Sequence, residues 1–249
     1  MIRRLIISIF LLSFSLVGHS KSDCKSDPNS ERLAVIVDLS NTLDDPARIA
    51  FMSLAGKISQ ISPPGGMLYV YDLNKFNDIS DAAELSICIP SFTSLTGEKL
   101  RQRKELEFSN SISEVFKKLS RTSSNAPISP ILEGIYKVGF HVFNGDGRSR
   151  SGRIIVISDF EQNTNLLSFY KSGIPDYKEW KSRAESVAWS ISMPKVKFTS
   201  ILIQRAQTSQ LVNQVKLRTF WLDYAGGVFQ KCGFMGLGMA AVELKNECN

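Results

Sequence analysis

Two aspartates carry the clearest chemistry in this sequence, and each closes an apolar run. Asp38 follows Leu33-Ala-Val-Ile-Val, and Asp159 follows Ile154-Ile-Val-Ile-Ser. Beyond the first of them, Asp38-Leu39-Ser40-Asn41-Thr42 sets a carboxylate and two hydroxyls at alternating positions. One tight turn can then aim three oxygens at a point while Leu39 and Asn41 face elsewhere. A hard divalent cation takes such an oxygen-only, partly hydrated shell, with Mg²⁺ the first choice and Mn²⁺ or Ca²⁺ the alternatives. Histidine chemistry is poorly served, because His19 and His141 are the only two histidines. His141 sits among Phe140, Val142 and Phe143, where it reads as a packed structural side chain, so a hydrolase relying on a histidine base is disfavoured. No CxxC or Cys/His cluster suggests zinc.

The elements that must position these oxygens follow from periodicity. A short, β-branched apolar run that stops at an acid reads as a buried parallel strand, and residues 33–38 and 153–159 share that grammar. Residues 67–73 and 196–203 read as further strands, while Glu84 to Ile89 alternates polar with apolar as a half-exposed edge strand would. Asp44, Asp45 and Pro46 start a helix whose apolar face is Phe51, Leu54, Ala55 and Ile58, and Pro63-Pro64-Gly65-Gly66 ends it. Helical patterns recur over 109–119, along Ile128, Ile131, Leu132, Ile135, Val138 and Val142, around Trp180, Ala184, Val187 and Ala188, and from Leu211 to about Tyr224. Arg218, Trp221 and Tyr224 on that last helix read as packing residues. Strands alternating with helices give the expected fold class: α/β, a doubly wound, mostly parallel sheet with one short antiparallel edge strand. In such a sheet ligands gather at the carboxyl ends of the strands, where both aspartates fall.

Composition bounds the rest. At 249 residues, 43% hydrophobic and 22% charged, one compact domain is the economical reading. Residues 1–20 read as a signal peptide: Arg3 and Arg4 precede an apolar stretch from Leu5 to Val17, with small residues Gly18 and Ser20 at a cleavage position. That stretch is shorter than the roughly 20 residues that cross a bilayer comfortably, so cleavage is expected and no stable membrane span remains. The expected organisation is a polar linker over 21–32, the domain over 33–224, and a glycine-rich, cysteine-containing tail over 225–249. Its Gly233, Gly236 and Gly238 give GxxGxG, reversed from the dinucleotide fingerprint, and are not read as a nucleotide loop. The modest positive excess, 30 basic against 24 acidic residues overall, is spread along the chain and leaves no nucleic-acid footprint. The basic run Lys99 to Lys104 is flanked by glutamates and reads as a solvated face. Four cysteines, Cys24, Cys88, Cys232 and Cys248, lie beyond the signal, where oxidation is expected in a periplasmic or secreted protein. Three pairings are possible from sequence; Cys232 with Cys248 would tie down the tail.

The chain resembles the von Willebrand factor A family. That family carries a metal-ion-dependent adhesion site with DxSxS after the first strand, a threonine at the head of a later helix and an aspartate after the fourth strand. Asp38-x-Ser40-x-Thr42 matches the first element with threonine in the last place. Ser129, in Ser129-Pro-Ile-Leu-Glu-Gly-Ile135, looks like the second with serine for threonine, and Asp159 like the third, with Phe160 where glycine is common. The resemblance implies a metal site of Asp38, Ser40, Thr42, Ser129 and Asp159, with Ser40 and Thr42 ligating directly and Ser129 a switchable position. It also implies a protein partner whose own carboxylate completes the shell. The expected function is therefore a non-enzymatic, metal-assisted interaction module, serving an envelope assembly. A metal-free scaffold subunit of the same fold is the alternative. A Mg²⁺-dependent phosphoryl-transfer enzyme is less favoured, since haloacid-dehalogenase-like phosphatases want DxDxT and Ser40 removes the general acid.

Overall fold

The computed structural model describes residues 30–39, 42–75, 83–122, 128–144, 149–183, 192–204 and 213–244. The expected signal peptide, most of the linker and Ser40 lie outside them. Among the described residues six strands form one sheet: β1 (Arg32–Val37), β2 (Met67–Asp72), β3 (Ala83–Cys88), β4 (Gly152–Ser158), β5 (Met193–Leu202) and β6 (Phe229–Gly236), in the order β3-β2-β1-β4-β5-β6. All neighbours pair in parallel except β2 with β3. The helices among the described residues are α1 (Asp45–Ile61), α2 (Glu98–Leu119), α3 (Ile131–Gly139), α4 (Tyr177–Ser182), α5 (Gln214–Val228) and α6 (Leu237–Glu243). The fold is thus α/β and doubly wound, with the antiparallel strand at one edge, as the residue pattern predicts. Among the described residues no helix is long and apolar enough to cross a membrane.

Burial on both faces explains the unbroken apolar runs. On β1, Leu33, Val35 and Val37 pack with α1, α2 and α6, while Ala34 and Ile36 pack with α3, α4 and α5. A strand with water on one face would have to alternate; this one has none to meet. The β3 edge does meet water at Ser86, and Glu84 beside it is bonded by both Lys75 and Lys118. Burial alone would raise the Glu84 carboxyl, but the two lysines outweigh it and hold it below the usual range.

Helix starts follow their caps. The Asp44 carboxylate accepts from the Ala47 amide at 2.8 Å and Pro46 sits in the first turn, so α1 begins where the sequence predicts. α1 buries Phe51, Leu54, Ala55 and Ile58, and Phe51 stacks on Phe116 of α2 with centroids 4.8 Å apart. α2 starts eleven residues earlier than its apolar stripe, at Glu98. Its first half stands clear of the core, with Leu100 and Leu106 exposed, and is laced by bonds from Gln102 to Glu98 and Lys104 to Glu107. The Lys99 to Lys104 run is this solvated face.

Three expectations need correcting. His141 is exposed in a π-helical turn, Phe140–Asn144, because Val142 and Phe143 take the core positions there. Ile128, expected on the α3 stripe, precedes the helix and is exposed. Residues 229–244, read as a tail, extend the sheet: β6 pairs with β5, and α6 packs beside α1. Ala184, Val187, Ala188 and Leu211 lie outside the described residues.

Candidate divalent-cation site

The order β3-β2-β1-β4-β5-β6 reverses direction between β1 and β4. The chain leaving β1 goes to α1 on one face, and the chain leaving β4 packs Leu167 and Phe169 into the other. In open α/β sheets ligands bind in the crevice outside the carboxyl ends of the strands at such a point, where the two connections diverge. Asp38 follows β1 and Asp159 follows β4, so both stand at this point.

The structure brings Asp38, Ser129 and Asp159 into one buried group. Asp38 is 1% exposed and its Oδ2 accepts from Ser129 Oγ at 2.7 Å and from Ser158 Oγ at 2.9 Å. Ser158 Oγ also lies 3.5 Å from Asp159 Oδ1 and accepts from the Phe160 amide at 2.8 Å. One hydroxyl therefore bridges the two strand ends. Asp159 is further held by the Glu161 amide at 3.1 Å. Thr42 is exposed and lines a surface groove with Leu43, Arg48 and Met52, outside the buried group; Ser40 lies outside the described residues.

Residues the sequence reading missed fix Ser129 in place. Ser129 and Asn163 exchange backbone bonds of 2.9 and 3.0 Å, and Asn163 Oδ1 accepts from Ser168 Oγ at 2.8 Å. Gln162, fully buried, accepts the Leu132 amide on its Oε1 at 2.9 Å and donates from Nε2 to Glu133 at 2.8 Å. The loop after β4 thereby caps the first turn of α3, whose Pro130 carries no side-chain donor or acceptor of its own. Glu161, a third buried acid, accepts from the Tyr170 hydroxyl. Truncating Gln162 to alanine strands the Leu132 amide in the interior. A loss of about 2–4 kcal/mol in a urea titration is expected; a loss below about 1 kcal/mol would mean that the cap is dispensable.

Phe160 has φ of 61°, in the left-handed region that glycine occupies freely. Packing holds it there. Its ring lies 5.2 Å from those of Trp221 and Phe234, and its carbonyl accepts from Trp221 Nε1 at 2.9 Å. The turn that aims Asp159 at Ser158 keeps a glycine-type backbone although the side chain is large.

Buried carboxylates and hydroxyls are the donor types that Mg²⁺ selects, so the residues present fit a hard cation. Among the described residues no group of three or more His, Cys, Asp or Glu side chains is placed to hold a metal, so the set depends on its serine hydroxyls. No family model matches the chain, and no curated protein does. Among solved structures it is similar to the human COPII-coat protein Sec24c, at 8% identity and a TM-score of 0.37, over 84% of this chain and 30% of that one.

Proposed function

We propose that this chain is an extracytoplasmic, non-enzymatic protein-interaction module of von Willebrand factor A-like type, which uses a divalent cation to recognise a carboxylate on a partner. An envelope assembly would be its setting. The observation that carries the reading is the buried group of Asp38, Ser129, Ser158 and Asp159 at the point where the sheet reverses direction. In the family pattern Asp38, Ser40, Thr42, Ser129 and Asp159 would hold the ion. Polarising a partner's carboxylate is the chemistry the ion would supply. The antiparallel edge strand and the glycine-like backbone of Phe160 agree with that family. The groove beyond Thr42 adds Lys117 and Arg121, and Arg48 paired to Asp45, a charge balance suited to an acidic partner.

Calorimetry of Mg²⁺ and Mn²⁺ binding, wild type against the double variant Asp38→Ala, Asp159→Ala, tests the metal. Saturable binding in the wild type alone is expected. Equal heats in both proteins would move the reading to a metal-free scaffold.

A further inference from the structure

Cys88 and Cys232 are both disulfide-bonded. They cannot be bonded to one another. Cys88 lies on β3 and Cys232 on β6, the two edges of the sheet. Five strand spacings separate them, about 24 Å, whereas a disulfide needs Cα atoms within about 7 Å. We infer that the pairs are Cys24 with Cys88 and Cys232 with Cys248, each joining a cysteine of one sheet edge to a cysteine that lies outside the described residues.

Register and chain reach choose between the two pairings that remain. Arg32 is opposite Met67, and Met67 is opposite Cys88, so the start of β1 and Cys88 stand in one row, two strands or about 10 Å apart. Cys24 precedes Arg32 by eight residues, a reach of about 27 Å. The first pair closes with chain to spare. At the other end, Cys248 follows Leu244 by four residues, a reach of about 14 Å. Leu244 is buried on the face where α6 packs beside α1 and against β5 and β6. Cys232 is on β6 itself, at a break in register: Lys231 and Gly233 face consecutive residues of β5, Phe198 and Thr199, which leaves Cys232 as the extra residue of a bulge. Reaching Cys88 instead would take the tail four strands from β5, about 19 Å, through the volume that α1 fills.

Each bond forms when one cysteine thiolate attacks a disulfide of the oxidant to give a mixed disulfide, and the partner thiolate then attacks the protein sulfur of that mixed disulfide and expels the oxidant's second thiolate. The two electrons and the two thiol protons pass to the oxidant, which leaves as its dithiol. The chain's maturation therefore includes exchange with a disulfide-bearing oxidant of the dithiol–disulfide class, independently of what the crevice binds.

The test is tryptic mapping of the full-length chain, secreted under oxidising conditions, alkylated and left unreduced. Trypsin separates the cysteines into 22–25, 76–99, 232–245 and 246–249. The expected linked species are 22–25 with 76–99 and 232–245 with 246–249, each parting on reduction. Linkage of 76–99 to 246–249 or to 232–245 would overturn the assignment, as would four alkylated thiols. A second readout uses single variants. Cys88→Ser should leave one reactive thiol, at Cys24, and Cys232→Ser one at Cys248; labelling at any other cysteine would overturn the pairing.

Discussion

Replacing Phe160 with alanine is expected to cost about 3–5 kcal/mol of stability, and replacing it with glycine about 1 kcal/mol less. The order is the informative part. In an ordinary core position glycine is the worse of the two, because it removes one more methyl group and frees the unfolded backbone. Phe160 stands at φ 61°, where any side chain with a Cβ crowds the following carbonyl and glycine does not. Both variants lose the ring that is wedged between Trp221 and Phe234, and both keep the carbonyl that Trp221 Nε1 uses. What reverses the usual order between them is the left-handed backbone. Urea titration of the pair measures it. An alanine variant as stable as the glycine one would mean that the turn after β4 relaxes out of the left-handed region, and Asp159 with it.

The same turn shows what was legible in the sequence. Asp38 and Asp159 could be placed because each closes a run that burial on both faces makes continuously apolar, and a parallel sheet brings such ends together. Ser129 was placed only through the family pattern. Its proximity to Asp38 depends on backbone exchange with Asn163, a contact across loops that no periodicity encodes. Ser158 stood in plain view before Asp159, yet its bridging role needs the crossover that sets β1 beside β4. Gln162 was silent because a single buried amide that caps a helix thirty residues away leaves no local pattern. β6 was missed for a different reason. An edge strand with two breaks in register against β5, and glycines at 233 and 236, shows neither alternation nor an apolar run. α2 is longer than its apolar stripe because its first turns bury no apolar side chain before Phe108, so only propensity and surface ion pairs mark them.

A site built to hold a cation should be unfavourable without one, and that gives the second large effect. Asp38 and Asp159 are nearly buried and share the Ser158 hydroxyl, which sets their nearest oxygens within about 7 Å. Two carboxylates that close repel by about 1–3 kcal/mol at the effective dielectric of a protein interior. In Asp159→Asn the side-chain carbonyl can still accept the Glu161 amide, and one charge is gone. The metal-free variant is therefore expected to unfold at a higher temperature than the metal-free wild type. Mg²⁺ should reverse the order. At a hundred times its dissociation constant a single bound ion adds about 2.7 kcal/mol, and for a domain of this size each kcal/mol moves the midpoint by about 2–4 °C. The wild type should gain roughly 5–10 °C with Mg²⁺, and the variant little. Scanning calorimetry of the two proteins, with Mg²⁺ and with chelator, reads all four midpoints. Curves that cross support a cation site whose cost in the empty protein is electrostatic. A variant less stable than wild type under chelator, with no response to Mg²⁺ in either, would instead make Asp159 a structural anchor of the turn, and the crevice a feature of the fold alone.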